Sequence, residues 1–309
     1  MKRPAIKTAA DAKKNEQRNN MMFIVVLLVP ATVLTIWQIY YPVFQGIRMA
    51  FMNYNIYNLS KVKFVGLENF KELLTPGPFN SFYPTIKNTV IYVFGSLIPQ
   101  ITIGFALALL LQRAFRGRSL YQGIIFFPWA VSGFIIGIMW RWMFNGTGGV
   151  INDLLMRLHL ISEPVAWLSS TKYAMLSVII ANVWYGIPFF TIMITAALQG
   201  VPLELYEAAE ADGANAFVKF KVVTLPHIKS VLILTALMRV IWIFNGPETI
   251  FAMTNGGPAG STQIMTSYMY NFITHMDYGM ASAVGVVCLI VLIIYTLIYL
   301  KLSNFASED

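Results

Sequence analysis

The segment EAAEADGANAFVKFKVVTLP, residues 207–226, is charged and punctuated by glycine and proline, yet it lies between two long apolar segments. The chain around it has 309 residues, of which 57% are hydrophobic and 12% are charged. Its mean hydropathy of +0.63 is well above that of a soluble domain. The segment is therefore a polar connection in a membrane protein, and it fixes where the spans on either side of it end.

Six apolar stretches are long enough to cross a bilayer as helices, because a hydrocarbon core of about 30 Å needs roughly 20 apolar residues. They are roughly residues 21–44, 88–112, 120–144, 173–198, 230–253 and 279–301. The first is too long for a signal-peptide core and no cleavage site follows it, so we interpret it as a retained span. The sequence predicts an all-α integral membrane protein, with one six-span domain at 21–301 between tails at 1–20 and 302–309.

Basic residues predict the orientation, because cytoplasmic connections carry an excess of Lys and Arg. The first 20 residues contain six of them, and the connection after the second span contains Arg113, Arg116 and Arg118 with no acid between. Both termini (N-in, C-in) and the connection between the fourth and fifth spans are then predicted to be cytoplasmic. Topology accounts for the net charge of +8, and no basic patch with interleaved aromatics indicates nucleic acid as a partner.

The opening segment and the residues before it predict a helix, a tight turn and a second helix. Pro202 suits the first turn of a helix, residues 203–211 favour helix, and Gly213 stands where a helix ends with positive φ. Asn215 can cap a second short helix that Pro226 would interrupt before the next span. A merely solvated loop is one interpretation, but the small and apolar residues of this segment leave a surface that needs a partner.

The same segment resembles the EAA motif of permease subunits of binding-protein-dependent ABC importers. The match comprises Glu207, Ala208 and Ala209, then Asp212, Gly213 and Ala214, and at a fixed distance Phe220, Leu225 and Pro226. Ser230 departs from the pattern, since many family members have a second proline there. This departure affects only the predicted start of the fifth span.

Three further segments resemble the carbohydrate branch of that family, which includes maltose and glycerol-3-phosphate permeases. They are FVGLENF at 64–70, WRWMFNGTGGVIN at 140–152 and TNGGPAGST at 254–262. The last is similar to the first of the two permease subunits that such systems usually pair. The resemblance therefore implies import of a sugar, or of a related polyol or glycerol phosphate, across a prokaryotic cell membrane.

The resemblance also implies a division of labour between chains. The nine residues of the motif would form a coupling helix that seats in a groove of a dimer of ATPase subunits, and ATP and Mg would be bound there. This chain would contribute no catalytic residue, cofactor or metal, and it lacks a GxxxxGK[ST] phosphate-binding pattern. Its other partners would be a second permease subunit, which is a homologue or a second copy, an extracytoplasmic sugar-binding protein and membrane lipid.

Charged side chains inside spans are costly, so each one is a candidate for function. Arg141 lies between two tryptophans near the outer end of the third span, where snorkelling and lining of the translocation path both remain open. Arg239 is deeper in the fifth span and either packs against another subunit or faces a cavity. Nine residues separate it from Glu248, which disfavours an ion pair between them within one helix.

The fifth span also contains FNGPET, where Gly246 and Pro247 predict a broken helix with freed backbone carbonyls. Broken helices at membrane depth tend to line cavities, because exposed carbonyls need polar neighbours. A sugar suits such a lining, since aromatic faces contact C–H surfaces while amides and carboxylates bind hydroxyls. The substrate-path candidates are Trp242, Phe244, Asn245, Glu248, Arg239 and Arg141.

Two local patterns predict helices and their packing. Gly133 and Gly137 form a GxxxG in the third span, which is typical of closely packed helices. FVGLENFKELL, residues 64–74, predicts a short amphipathic helix at the membrane interface, ended by the turn residues that follow it.

Two other functional classes stay open. A membrane-embedded transferase would need acids or histidines gathered on one face, whereas the acidic cluster here is interleaved with alanines. An ion-coupled secondary transporter would have inverted repeats, and none is visible by eye. Coupling to an added ATPase distinguishes both classes from an ABC importer.

Overall fold

The computed structural model describes residues 9–77, 81–112 and 115–303, and these are helical apart from turns, loops and two isolated β-bridges. The helices are α1 Ala9–Thr35, α2 Tyr41–Met49, α3 Glu68–Leu74, α4 Phe82–Gln112, α5 Arg118–Phe126, α6 Gly133–Met143, α7 Val150–Arg157, α8 Ala174–Gln199, α9 Leu203–Ala211, α10 Ala216–Lys219, α11 Leu225–Asn245, α12 Glu248–Met253, α13 Met265–Thr274 and α14 Tyr278–Leu302. Arg113 and parts of both predicted tails, residues 1–8 and 304–309, lie outside the described residues.

Five helical segments among the described residues are long and apolar enough to cross a membrane. They are Asn20–Met49, Phe82–Gln112, Ala174–Gln199, Ala216–Met253 and Tyr278–Leu302. They confirm five of the six predicted stretches, and the second begins six residues earlier than predicted. A sixth crossing requires that α5 and α6 be counted together. The prediction of an all-α membrane protein is confirmed, with five or six spans.

The prediction of one continuous third span at 120–144 is wrong. The helical pair Arg118–Ala130 and Gly133–Met143 is bent by 100°. Pro128 lies in a 3₁₀ turn at Phe127–Ala130, and Val131 and Ser132 then have extended backbone. Because proline cannot donate to the helix ladder, it ends the first helix at this turn, and the chain restarts at a new angle.

The predicted interruption at Pro226 is also wrong. Residues Phe220–Thr224 form a π-helical turn in which the Leu225 N–H donates to the Phe220 carbonyl, and α11 continues from there. Pro226 lies in the first turn of α11, where a missing N–H costs little. The second short helix, α10, is therefore the cytoplasmic-side beginning of the long segment Ala216–Met253 in the predicted orientation.

The centre of the bundle is built from α4, α8 and α11, which pack against one another, and α6 packs along α12. The GxxxG prediction is confirmed at Gly137, where an added Cβ would lie 2.5 Å from the Cβ of Ala252. Gly133 makes looser contacts with Glu248 and Tyr185. Because Gly137 has no side chain, α6 can approach α12 closely. This close packing places the bend of the third span beside the break in the fifth.

The first span differs from the rest, because residues 20–44 are exposed along their whole length and the span packs on α14 through its last helix, α2. The predicted amphipathic helix at 64–74 is confirmed from Glu68 onward as α3, whose Asn69 and Leu73 are buried and which also packs on α14. Asn69 donates hydrogen bonds to the carbonyls of Ala50 and Met52, at 2.8 and 3.0 Å, and so ties this helix to the end of the first span.

Candidate functional site

A cavity of about 520 Å³ lies where the bend between α5 and α6 faces α8 and the break between α11 and α12. This volume falls within the range of small-molecule sites. We call it the central cavity. Its lining consists of Trp129, Ser132, Gly133, Asn182, Tyr185, Arg239, Trp242, Ile243, Asn245, Gly246, Glu248 and Thr249.

The break at Gly246 and Pro247 is confirmed, since α11 ends at Asn245 and α12 begins at Glu248. Side chains satisfy part of the freed backbone. The Thr266 hydroxyl donates to the Phe244 carbonyl at 3.1 Å. The Asn245 amide donates to the Ile241 carbonyl, one turn back within α11, at 3.0 Å. The Asn245 side chain is exposed to the cavity and keeps its carbonyl oxygen available there.

Aromatic side chains flank the central cavity. Trp129 and Trp242 both pack on the buried ring of Phe189, with centroid distances of 5.9 and 5.0 Å. Both indoles keep a large exposed fraction, 40% and 42%. Flat aromatic faces beside polar side chains provide both contact types that a saccharide can make.

Four of the six substrate-path candidates meet at the central cavity: Arg239, Trp242, Asn245 and Glu248. The other two lie elsewhere. Phe244 is 6% exposed and belongs to the hydrophobic core. Arg141 is exposed and lines a second pocket, described below. The two alternatives for Arg239 were packing against another subunit and facing a cavity. The structure favours the cavity, because Arg239 lines it and donates a hydrogen bond to Gln100 of its own chain.

A hydrogen-bonded chain of buried polar residues supports Arg239. Its Nε donates to Gln100 Oε1 at 2.8 Å, and Gln100 Nε2 donates to Asn182 Oδ1 at 2.8 Å. The Asn182 amide in turn donates to the Tyr92 hydroxyl at 2.6 Å. The Tyr185 ring also faces the guanidinium, with its centroid 5.7 Å from Cζ.

Sequence reasoning missed three members of this chain, Gln100, Asn182 and Tyr92. A signal did exist, because Gln100 and Asn182 are single amides inside long apolar stretches, and such amides in spans usually bond across helices. The sequence does not reveal that both amides lead to Arg239.

The second pocket has a volume of about 450 Å³ and lies at the end of the bundle formed by the connections after α6 and α12. Arg141, Asn145, Trp167, Thr254 and Pro258 are among its lining residues. These connections are two of the segments that resemble sugar permeases.

Asn152 organises one wall of the second pocket. It is 2% exposed, donates to the carbonyls of Gly146 and Val165 at 3.1 and 3.0 Å, and accepts from the Trp167 indole at 2.8 Å. This buried amide holds the loop from α6 to α8 in one shape.

The opposite end of the bundle carries a helical hairpin at residues 203–224, which comprises α9, the turn, α10 and the π-helical turn. Gly213 has φ of +78°, as predicted. Its N–H donates to the Glu210 carbonyl and the N–H of Ala214 to the Ala209 carbonyl, both at 2.9 Å, which is a Schellman motif. Asn215 caps α10 by accepting from the Val218 N–H at 3.0 Å, also as predicted.

One contact fixes the hairpin to the bundle, and a second joins the two arms of the hairpin to each other. The Phe220 ring packs edge to face against Phe105 of α4, with a centroid distance of 5.6 Å. The hydroxyls of Tyr206 and Thr224 lie 2.9 Å apart and form a hydrogen bond. Phe220, one of the predicted docking residues, therefore also anchors the hairpin internally.

The rest of the motif faces outward. Glu207, Ala208, Asp212, Gly213, Leu225 and Pro226 are exposed, whereas Ala209 and Ala214 are half-buried. Apolar side chains next to them are also uncovered, since Phe217 is 72% and Val222 is 64% exposed. The hairpin thus presents a mixed acidic and apolar surface on a rigid support.

Comparison with known proteins gives a consistent family. Residues 100–304 match the model of the binding-protein-dependent transport system inner membrane component family. The trehalose/maltose transport system permease protein MalF of Thermococcus litoralis is 35% identical over 79% of this chain and 81% of its own length. The maltodextrin transport system permease protein MalC of Streptococcus pneumoniae is 30% identical over 99% of this chain and 74% of its own.

The fold has a close counterpart among solved structures. A chain in the crystal structure of a bacterial alginate ABC transporter, in complex with an alginate pentasaccharide-bound periplasmic protein, superposes with a TM-score of 0.80. The match covers 96% of this chain and 98% of that chain at 22% identity. At this identity the likeness concerns the fold alone.

Proposed function

Because this chain belongs to the family of binding-protein-dependent transport system inner membrane components, we propose that it is the subunit through which an ATP-driven importer moves a sugar across the cell membrane. It is a multi-pass membrane subunit, and in this family ATP is hydrolysed by separate ATPase subunits. An extracytoplasmic binding protein delivers the sugar to the end of the bundle that carries the second pocket.

The observation that carries this proposal is the central cavity. It combines two exposed indoles with the side chains of Arg239, Asn245 and Glu248 at a break in a span. A mixed aromatic and hydrogen-bonding lining of this size suits a saccharide. Relatives with 30–35% identity that span most of the chain bear the names of maltose, trehalose and maltodextrin permeases, which supports the same substrate class.

The proposed orientation places both termini and the helical hairpin in the cytoplasm. In this proposal α5 and α6 together make one crossing, so two spans separate the helical hairpin from the connection with Arg116 and Arg118, and both lie at the same end of the bundle. Basic residues favour the cytoplasmic side. The second pocket then opens toward the binding protein.

The helical hairpin is the proposed docking element for the ATPase dimer, which binds ATP and Mg. Its exposed carboxylates, Glu207 and Asp212, lie beside the uncovered Phe217 and Val222. Exposed apolar side chains rimmed by charge are typical of an interface. The Schellman turn and the Phe220 anchor would transmit movement of the docked ATPase to α11, on which Arg239 and Trp242 lie.

A second permease subunit, a homologue or a second copy, completes the proposed path. One chain surrounds the central cavity only in part, and the first span exposes residues 20–44 along its whole length. That apolar surface is covered by lipid and by the second permease in this proposal.

The test is co-purification followed by reconstitution. The tagged chain is purified from its native membrane in mild detergent, its partners are identified by their peptides, and the complex is placed in proteoliposomes with the binding protein. We expect a Walker-motif ATPase and uptake of a radiolabelled sugar that requires ATP. Uptake that instead follows an ion gradient, without any ATPase in the preparation, would favour the secondary transporter. Transfer of a group to lipid would favour the transferase.

A further inference from the structure

The charged groups of the central cavity point to the class of sugar that it takes. Among the described residues that line this cavity, only Arg239 and Glu248 are charged at neutral pH. Among the described residues, neither Arg239 nor Glu248 forms an ion pair, with each other or with another side chain. The cavity thus has one unpaired cation and one unpaired carboxylate.

Arg239 lines the cavity and has donors for which the described part of its own chain provides no acceptor. It is 4% exposed, and its one hydrogen bond within the described chain uses Nε. A guanidinium has five N–H donors, and a buried donor without an acceptor is costly. The four donors on the Nη atoms therefore need acceptor oxygens, which water or a bound sugar supplies.

The polar chain behind Arg239 has only one consistent hydrogen-bond direction. Arginine can only donate, so Gln100 must accept through Oε1 and donate through Nε2, and Asn182 must then donate to Tyr92. Gln100 and Tyr92 are 0% exposed and Asn182 is 4% exposed. All three side chains are therefore held in place, and each contact fixes the next.

Gly186 provides the space for this arrangement. An added Cβ at this position would overlap the Gln100 amide and Nη2 of Arg239. The missing side chain allows the guanidinium and the amide to lie against α8. Gly186 and the three polar residues thus act through Arg239 without a need to touch substrate themselves.

We propose that Gln100, Asn182 and Gly186 are positioning residues that hold Arg239 at the cavity that Glu248 also lines, and that this balance of charge makes the central cavity selective for an uncharged sugar. The inference rests on the proposed function. Arg239 donates to sugar hydroxyl oxygens and Glu248 accepts from hydroxyl groups. An acidic sugar gains from Arg239 but is repelled by Glu248, so it has no net electrostatic advantage and loses hydration of its own charge.

The experiment measures equilibrium binding of two tritiated probes, maltotriose and trigalacturonate, to the purified importer in nanodiscs without binding protein. We expect the wild type to prefer maltotriose. Glu248→Gln leaves the cavity with a net positive charge, so the ratio of the two affinities should shift toward trigalacturonate by about tenfold. Glu248 is exposed to the cavity, and its replacement by an amide of the same shape leaves the packing intact.

A second variant changes Gln100, the residue that accepts the hydrogen bond from Arg239. Gln100→Glu places a carboxylate at the position that accepts from Arg239, and the side-chain bonds of Asn182 and Tyr92 are kept if their direction reverses. The bond that Gln100 Nε2 donates to the Asn182 backbone carbonyl at 2.8 Å is lost. The cation is then neutralised, and maltotriose affinity should fall about tenfold when it is measured well below the melting temperature of the variant. Gln112→Glu, on the same helix and exposed outside the cavity, is the matched control.

The results separate this inference from the function on which it rests. An unchanged probe ratio in Glu248→Gln, an equal response of Gln100→Glu and Gln112→Glu, or a wild type that binds trigalacturonate as well as maltotriose would each overturn the charge-balance inference. ATP-driven sugar uptake by the same complex in proteoliposomes with the binding protein would still support the proposed function. Its absence for every sugar tested would refute that function instead.

Discussion

The central cavity and the helical hairpin are specified in opposite ways. The hairpin obtains its shape from neighbours in sequence, through the positive φ of Gly213 and the cap of Asn215. The cavity obtains its shape from residues far apart in the chain, such as Gln100 and Arg239, whose bond spans 139 positions. The hairpin is exposed and ready for a partner, whereas the polar groups behind the cavity are buried. A substitution in the hairpin should therefore affect docking of the ATPase, whereas a substitution at the cavity should affect the affinity for sugar.

The largest effect is expected from Gly213→Pro. Proline fixes φ near −65°, which is incompatible with the observed +78°. It also removes the N–H that donates to Glu210. ATP-driven uptake in proteoliposomes should fall to background, while membrane insertion and sugar binding to the cavity remain.

The control for that change is Gly200→Ala in the preceding connection. Gly200 has φ of −80°, which alanine adopts without strain. It should keep most of the uptake. Normal uptake by Gly213→Pro, or an equal loss in both variants, would contradict the assignment of the hairpin turn as the coupling element.

The next effect tests the cavity. Gly186→Ala should displace the Gln100 amide and Arg239, and so raise the KM for uptake about tenfold while the maximal rate and ATPase binding change less. Gly123→Ala is its control, because an added Cβ at Gly123 meets nothing within 4 Å. A defect that appeared in maximal rate alone would mean that Gly186 serves helix packing rather than Arg239.

A smaller effect separates the two phenylalanines of the hairpin. Phe217 is 72% exposed, whereas Phe220 is half-buried against Phe105. Phe217→Ser should weaken ATPase binding by about 1–2 kcal/mol without a change in melting temperature. Phe220→Ser should lower the melting temperature of the permease as well. Binding titrations and thermal unfolding in detergent measure both quantities, and the same pattern in the two variants would argue against separate roles in docking and anchoring.

The features that could be predicted from the sequence are those that arise from local chemistry. The motif around Gly213, the cap at Asn215 and the break at Gly246 and Pro247 each follow from the stereochemistry of one or two residues. The same chemistry could have predicted the 100° bend after Pro128, but the length of the apolar stretch concealed it. The length of an apolar stretch shows how many residues avoid water, but it does not show whether the helix they form is straight or bent.

The features that escaped prediction depend on packing. Phe244 and Asn245 are adjacent in a broken span, yet one lies in the core and the other in the cavity, because their side chains leave α11 in different directions. The sequence disfavoured an ion pair of Arg239 with Glu248 but did not identify its actual partner, which is Gln100 on α4. A chain of amides across three helices requires the helix arrangement to be known first.

The smallest effect is expected at the ion pair of the hairpin, where Lys219 Nζ lies 3.1 Å from Glu210 Oε2. The Glu210 side chain is 74% exposed, so water screens the attraction and the pair contributes only about 0.2–1 kcal/mol. Lys219→Met should therefore lower the melting temperature no more than Lys221→Met, a nearby exposed lysine. A clearly larger loss at Lys219, removed by high salt, would mean that charge as well as the turn at Gly213 holds the hairpin together. The hairpin would then resemble the cavity in depending on a pairing of residues apart in sequence.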